Sequence, residues 1–327
     1  GMALAFLKSW PLVWPLTHLR WHLTHGRFES RLKAYLKANN ADVLVGFLPP
    51  AISASSRVGK ALKIPVVAST HNVPERDFGL SSDRWDQNPV FKKKAQAALL
   101  EADVITVLLD EFHAWYPDRV RNRLVTLPNP VSRLSPVATP PPERKNIILG
   151  VGRLTKIKQY DHLISAWSKL HKTHLNWRVD IYGEGPEYEN LQRQIIELGL
   201  ETSVRLRGRV DDIAERYDTA QILCHPAEFE GFGLSVAEAM AHGLAVVAYA
   251  DCQGVNTLVE NRENGLLISS VKGRIGGLAD GIDQLITNQS LRQDLAQNAT
   301  TIVTRFAKDT IYDRWEEILA HQNNAPD

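Results

Sequence analysis

Two glutamates bracket a glycine-containing turn in the segment Glu230-Gly-Phe-Gly-Leu-Ser-Val-Ala-Glu238. The turn runs into a helix-forming stretch, and the first backbone N–H groups of a helix attract anions because they have no partner inside it. Gly231 and Gly233 let a ligand approach the backbone closely, since glycine has no side chain. The carboxylates of Glu230 and Glu238 can accept hydrogen bonds from sugar hydroxyls. The segment therefore indicates a site for a phosphate with a polyol beside it, as in a nucleotide sugar.

The same residues also have a purely structural interpretation. Ser235-Val-Ala-Glu238 has the spacing of a capping box, in which Glu238 returns to the backbone N–H of Ser235. Taken alone, the segment fits both interpretations equally well.

Two cations follow a second glycine turn, Gly150-Val-Gly152, at the end of an apolar run. Arg153 comes directly after the turn and Lys158 comes five residues later, with Lys156 as a competing cation. A tight turn at the carboxyl end of a strand, followed by cations, suits a diphosphate. The alternative is an exposed basic turn without a ligand.

The elements that must position these residues alternate along the chain. Short apolar runs read as buried strands and are separated by helical stretches, which predicts an α/β fold with two doubly wound, Rossmann-like parallel sheets. The predicted strands lie within residues 42–47, 64–69, 103–108, 123–127, 146–151, 177–182, 204–206, 222–224, 244–249 and 265–268. A proline-rich linker at residues 136–143 separates two predicted domains, 1–140 and 143–308. A last amphipathic helix is predicted at 309–321.

Size and composition are those of an ordinary globular protein. The 327 residues are 44% apolar and 23% charged, with a net charge of +1 that gives no reason to expect nucleic acid as a partner. Cys224 and Cys252 form neither a metal spacing nor a disulfide framework. No apolar run is long enough to span a membrane, and no secretory signal is evident, so a cytoplasmic location is expected.

The first 40 residues differ from the rest because basic side chains alternate with Trp10, Trp14 and Trp21. Tryptophan beside basic residues suits the surface of an anionic membrane, which predicts a peripheral membrane contact. The alternative is a helix pair that packs its aromatic side chains into its own domain, and aromatic stripes are more often core.

Taken with Ala239-Met-Ala-His-Gly243, the Glu230–Glu238 segment resembles the donor-site signature of retaining GT-B glycosyltransferases of family 4. In that family the arginine and lysine matching Arg153 and Lys158 bind the donor diphosphate, although the usual next glycine is Gln159 here. The resemblance also covers a turn at Gly183 near the nucleotide and a segment in which Val210 offers its main chain to the base. Asp211 suits a helix N-cap instead.

The resemblance implies transfer of a sugar from a UDP- or GDP-linked donor to a hydroxyl of a glycan or lipid-linked acceptor, in bacterial polysaccharide or lipid-linked glycan synthesis. His71 and Glu230 would contact the donor sugar, and Glu238 the ribose. The backbone N–H groups of Phe232, Gly233 and Leu234 would bind phosphate. No cofactor is implied, and no metal is expected because the chain has no Asp-x-Asp.

One departure from the family lies at the beginning of the chain. Members of the family open with a strand and a glycine-rich loop, and residues 1–40 contain neither, so the first βα units are expected to be missing. A shortened first sheet would expose a strand edge and favour a homodimer. A nucleotide-sugar-binding pseudoenzyme, or a partner subunit of a complete transferase, is the alternative function, and within enzymes an epimerase or phosphorylase is the alternative.

Overall fold

A computed structural model describes residues 19, 22–79, 88–136, 143–269 and 273–323 of the chain. The chain divides into two compact units, Gly1–Pro128 with Ile311–Asp327 and Asn129–Thr310. Trp10, Trp14 and Trp21, and most of the predicted proline-rich linker, lie outside the described residues.

The first unit contains a four-stranded parallel sheet in the order β1-β2-β3-β4. Its strands are β1 (Leu44–Phe47), β2 (Val66–Ser69), β3 (Val104–Val107) and β4 (Leu124–Thr126). Its α-helices are α1 (Arg27–Ala38), α2 (Leu48–Leu62), α3 (Pro74–Phe78) and α4 (Pro89–Glu101), with 3-10 helices at Asp110–Trp115 and Asp118–Arg123 and a π-helical turn at His22–Gly26.

Proline decides where two of these helices begin. The second helix starts at Leu48, with prolines in its first turn, where the missing N–H costs nothing. The fourth helix starts at Pro89, and the side chain of Asn88 accepts a hydrogen bond from Val90 N–H as its cap.

The second unit contains a six-stranded parallel sheet in the order β10-β9-β8-β5-β6-β7. Its strands are β5 (Ile147–Val151), β6 (Arg178–Tyr182), β7 (Val204–Leu206), β8 (Ile222–His225), β9 (Ala245–Tyr249) and β10 (Leu266–Ile268). Its α-helices are α5 (Tyr160–Trp167), α6 (Tyr188–Glu197), α7 (Ala214–Thr219), α8 (Leu234–Ala241), α9 (Val255–Leu258), α10 (Arg274–Thr287), α11 (Gln289–Ala299) and α12 (Ile302–Arg305).

Each of the ten predicted strand runs coincides with a strand, with β8 one residue longer than predicted, so the prediction of two parallel α/β sheets is confirmed. The reason is visible in the burial of the central strands: β8 and β9 are buried at every position, as expected when helices cover both faces. The strand order of the second sheet reverses direction between β5 and β8. Open α/β sheets bind ligands at such a switch point, outside the carboxyl ends of the strands.

A last helix, α13 (Lys308–Asn323), begins in the second unit, and from Ile311 onward it belongs to the first. Within the first unit, Arg314 Nη2 donates to Thr126 O over 2.6 Å, and the Trp315 ring centroid lies 6.1 Å from that of Phe47. No helix in the described part of the chain combines the length and apolar character needed to cross a membrane.

Candidate functional site

The glycine turns of the second unit lie side by side at the carboxyl edge of its sheet. Gly152 N–H donates to Tyr182 O over 3.0 Å, and Gly183 N–H donates to Gly208 O over 2.9 Å. The loop after β5 is therefore hydrogen-bonded to the end of β6, and the loop after β6 is hydrogen-bonded to the loop after β7. Position 183 accepts only glycine, because a Cβ atom there would lie 1.9 Å from Gly152 O.

Lys158 reaches inward from this edge. It ends a 3-10 turn, Lys156–Lys158, and the next residue, Gln159, has a φ of +49°, in the left-handed region that favours glycine. Glycine, which the resemblance to family 4 leads us to expect at this position, would adopt that conformation without strain. The side chain of Lys158 is 16% exposed and forms an ion pair with Glu230, whereas Lys156 and Arg153 are exposed. Arg153 has no partner among the described residues.

The carboxylate of Glu230 is the centre of the site. Its Oε1 accepts hydrogen bonds from Lys158 Nζ and, over 2.9 Å, from His225 Nε2. The backbone fixes its position, since Glu230 N–H donates to Gln253 O over 2.9 Å. Burial raises the pKa of Glu230, but the bond from His225 and the charge of Lys158 outweigh burial and lower the pKa to about 2.

His225 ends β8 and is 1% exposed. Burial lowers its pKa, so the ring is neutral at neutral pH and its Nε2–H donates to the ionised Glu230. Its Nδ1 is enclosed and has no partner within the described part of the chain. Sequence reasoning missed this residue, and the available signal was its place at a strand end, five residues before Glu230.

The residues after Glu230 form the predicted helix start. Gly233, with a φ of +86°, is the N-cap of α8, and no side chain caps the helix. The N–H groups of Gly231, Phe232, Gly233 and Leu234 have no acceptor among the residues that the structure describes. The side chain of Phe232 is buried, at 3% exposure, and packs edge-on against Phe306. The arrangement can accept an anion.

The capping-box interpretation is wrong. Glu238 Oε2 accepts a hydrogen bond from the hydroxyl of Tyr217 over 3.2 Å, and the helix begins before Ser235. Burial raises the pKa of Glu238, and the bond from Tyr217 acts in the opposite direction. Tyr217, on α7, was also missed from the sequence.

The segment after β7 needs one correction. Asp211 was predicted as a helix N-cap, but Asp212 Oδ1 accepts the hydrogen bond from Ala214 N–H, over 3.1 Å. The main-chain groups of Val210 have no partner in the described residues, so they can meet a ligand.

His71 lies in the first unit, after β2. Its Nε2 lies 3.0 Å from Ser69 Oγ, which in turn accepts a hydrogen bond from Thr106 Oγ1 over 2.8 Å. The ring centroid of Phe47 lies 5.2 Å from that of His71. These contacts orient the imidazole at the carboxyl end of the first sheet.

The described residues include no group of three or more His, Cys, Asp or Glu placed to hold a metal ion. Metal independence therefore stays a prediction. Cys224 and Cys252 are free and buried.

Comparison with known proteins gives one family match. Residues 133–301 match the family described as "Glycosyl transferases group 1". An uncharacterized glycosyltransferase of Haemophilus influenzae is 32% identical over 216 residues, which are 66% of this chain and 60% of the relative. The exopolysaccharide phosphotransferase SCO2592 of Streptomyces coelicolor is 31% identical over 308 residues, 92% of this chain and 31% of the relative. The chain thus spans less than two thirds of these relatives.

Solved structures share the fold. The structure of Anabaena Alr3699/HepE in complex with UDP and glucose superposes with a TM-score of 0.76 at 21% identity, over 90% of this chain and 81% of that one. The predicted GT-B class, α/β with parallel sheets, is confirmed by this match.

Proposed function

Because this chain belongs to the glycosyl transferases group 1 family, we propose that it transfers a sugar from a nucleotide-diphosphate sugar to a hydroxyl acceptor. The observation that carries the proposal is the arrangement at the switch point of the second sheet. There Lys158, Glu230 and the uncapped start of α8 lie together at the edge where α/β sheets bind ligands.

The proposed roles follow from charge. The cations Arg153 and Lys158 and the N–H groups at the start of α8 bind the donor diphosphate. They stabilise the negative charge that grows on its terminal phosphate as the bond from the anomeric carbon to the phosphate oxygen breaks. The acceptor oxygen bonds to the anomeric carbon with retention, and its proton leaves with the nucleoside diphosphate. Retention rests on the resemblance to family 4.

In this proposal, carboxylate side chains and main-chain groups recognise the donor. Glu230 orients the sugar hydroxyls, Glu238 accepts hydrogen bonds from the ribose, and Val210 meets the base. His71 is proposed to contact the donor sugar. The UDP and glucose in the Anabaena structure support a UDP-linked hexose as the first donor to test, with GDP sugars and acetylhexosamines next.

The acceptor is proposed to be a glycan or a lipid-linked saccharide in bacterial polysaccharide synthesis, which the exopolysaccharide relative supports. A peripheral membrane contact would bring the enzyme to a lipid-linked acceptor.

Calorimetric titration tests donor binding. We expect UDP, or GDP if the base differs, to bind the wild type and to lose about tenfold or more in affinity in Lys158→Gln, because a charge-assisted bond of about 1.5–3 kcal/mol is removed. Lys156→Gln is the matched control, since Lys156 is exposed in the same turn and is expected to bind normally. Equal loss in both variants, or no binding by the folded wild type, would refute the proposed site.

Sugar-phosphate transfer is the second candidate function, favoured by the similarity to the Streptomyces phosphotransferase. The two reactions release different nucleotides: glycosyl transfer releases the nucleoside diphosphate, and sugar-phosphate transfer releases the monophosphate. Donor binding without either product, in the presence of suitable acceptors, would instead identify a binding subunit.

A further inference from the structure

A polar cavity of about 470 Å³ lies in the second unit, at the edge of the sheet opposite the candidate donor site. Asn146 and Gln221, which line it, come directly before β5 and β8, so the cavity lies at the amino ends of these strands. Its other polar lining residues are Arg144, Gln289, Arg292 and Gln293.

The two arginines bring positive charge to the cavity without a carboxylate partner. Arg292 is 8% exposed, and neither Arg144 nor Arg292 forms an ion pair within the described part of the chain. Asp218 acts on Arg144 at longer range, but its carboxylate already pairs with Arg133 and His242. Buried charges are normally paired, because an isolated charge loses its hydration.

Backbone carbonyl groups at the carboxyl ends of helices offset part of the positive charge of the two arginines. Arg144 donates to the carbonyls of Tyr217, Ala220 and His242, and Arg292 donates to those of Leu285 and Ile286. These carbonyls carry only the partial charges of helix carboxyl ends, about half an elementary charge per helix. Each guanidinium has five N–H bonds, so Arg144 Nε and Arg292 Nη2 still have donors without a partner among the described residues.

Two consecutive hydrogen bonds, from Arg292 to Gln221 and from Gln221 to Asn146, form a relay that fixes the orientation of the amide groups at the cavity. Arg292 Nε, which can only donate, bonds to Gln221 Oε1 over 2.9 Å. The amide of Gln221 is thereby oriented, and its Nε2 donates to Asn146 Oδ1 over 2.7 Å. Each amide oxygen accepts one of these hydrogen bonds, and the group at the end of the relay is Asn146 Nδ2, a donor. Residues with guanidinium and amide N–H groups therefore line the cavity.

We propose that this cavity binds a small oxyanion, either a phosphate or a carboxylate, at a site separate from the donor site. An acceptor-only anion satisfies the unused N–H groups and supplies the missing negative charge. Neither the sugar donor nor the proposed transfer reaction is needed for this binding.

Titration calorimetry of the full chain with inorganic phosphate and, separately, with citrate tests the proposal and distinguishes the two sources of oxyanion. The background is Lys158→Gln, which weakens anion binding at the donor site. We expect at least one of the two anions to bind. Added Gln293→Glu places a carboxylate on an exposed lining position and is expected to weaken that binding at least tenfold by like-charge repulsion.

Gln297→Glu is the matched control, because Gln297 is exposed on the same helix and does not line the cavity. It should bind the anion as tightly as the Lys158→Gln parent does. The parent and the two variants made from it should have the same thermal unfolding midpoint, which shows that neither added substitution destabilises the protein. The proposal is overturned if neither anion binds the parent, or if Gln293→Glu and Gln297→Glu bind equally well.

Discussion

Replacement of Glu230 by glutamine should change how the stability of the protein depends on pH. In the structure the carboxylate accepts hydrogen bonds from Lys158 and His225, and its pKa falls from 4.5 to about 2 although burial acts in the opposite direction. A folded-state pKa below the unfolded value means that ionised Glu230 stabilises the fold.

The size of the effect follows from the shift. One pKa unit is 1.36 kcal/mol, so a depression from 4.5 to about 2 corresponds to about 3 kcal/mol. The side chain is only 18% exposed, so solvent screens the effect little. The stabilisation is complete above the unfolded pKa and is lost as the pH falls from 4.5 toward 2. Between about pH 5 and about pH 3.5, roughly 1 kcal/mol should disappear.

Urea unfolding followed by tryptophan fluorescence measures this loss. Wild type should be more stable than Glu230→Gln at about pH 5, and the difference in the free energy of unfolding should shrink by roughly 1 kcal/mol at about pH 3.5. Glu228→Gln controls for the removal of a negative charge from an exposed position in the same loop. A difference between wild type and Glu230→Gln that stays constant or widens on acidification would show that the carboxylate is not held ionised as described.

Two further substitutions test the site. Gly183→Ala should lower the free energy of unfolding in urea by about 3 kcal/mol or more, because its Cβ would lie 1.9 Å from Gly152 O. Gly199→Ala, which has open space around it, is the control and should lower it by about 1 kcal/mol. Similar costs for both variants would contradict the packing of the turns at Gly152 and Gly183. Tyr217→Phe removes the hydroxyl that donates to Glu238, so the pKa of Glu238 should rise further above its usual range. Calorimetry should then show that nucleotide affinity falls on acidification at a higher pH than in wild type, and an unchanged pH profile would argue against a ribose contact by Glu238.

The strands could be predicted because buried parallel strands are nearly continuous apolar runs, bounded here by glycine turns. The choice of Lys158 over Lys156 comes from the resemblance to family 4, and in the structure Lys158 forms an ion pair with Glu230. The strand prediction uses local information, the order of residue types along the chain.

The partners of the two glutamates could not be predicted, because they depend on packing between distant elements. The spacing from Ser235 to Glu238 favours a capping box, but Gly233 takes a left-handed conformation that starts the helix earlier. Tyr217 then reaches Glu238 from a different helix. The helix after β7 likewise begins at Ala214 with Ile213 as its N-cap, and the carboxylate that accepts from Ala214 N–H belongs to Asp212 and not to Asp211.

The pairing of β5 with β8 has a consequence for how the protein folds. Lys158 follows β5 and Glu230 follows β8, 72 residues apart in the chain, and β6 and β7, which come between them in sequence, lie on the other side of β5. Contacts of such long sequence separation form slowly, since the entropy of closing the intervening loop is lost before the contact stabilises it. During refolding, the ability to bind a fluorescent nucleotide should therefore develop later than the secondary structure seen by circular dichroism.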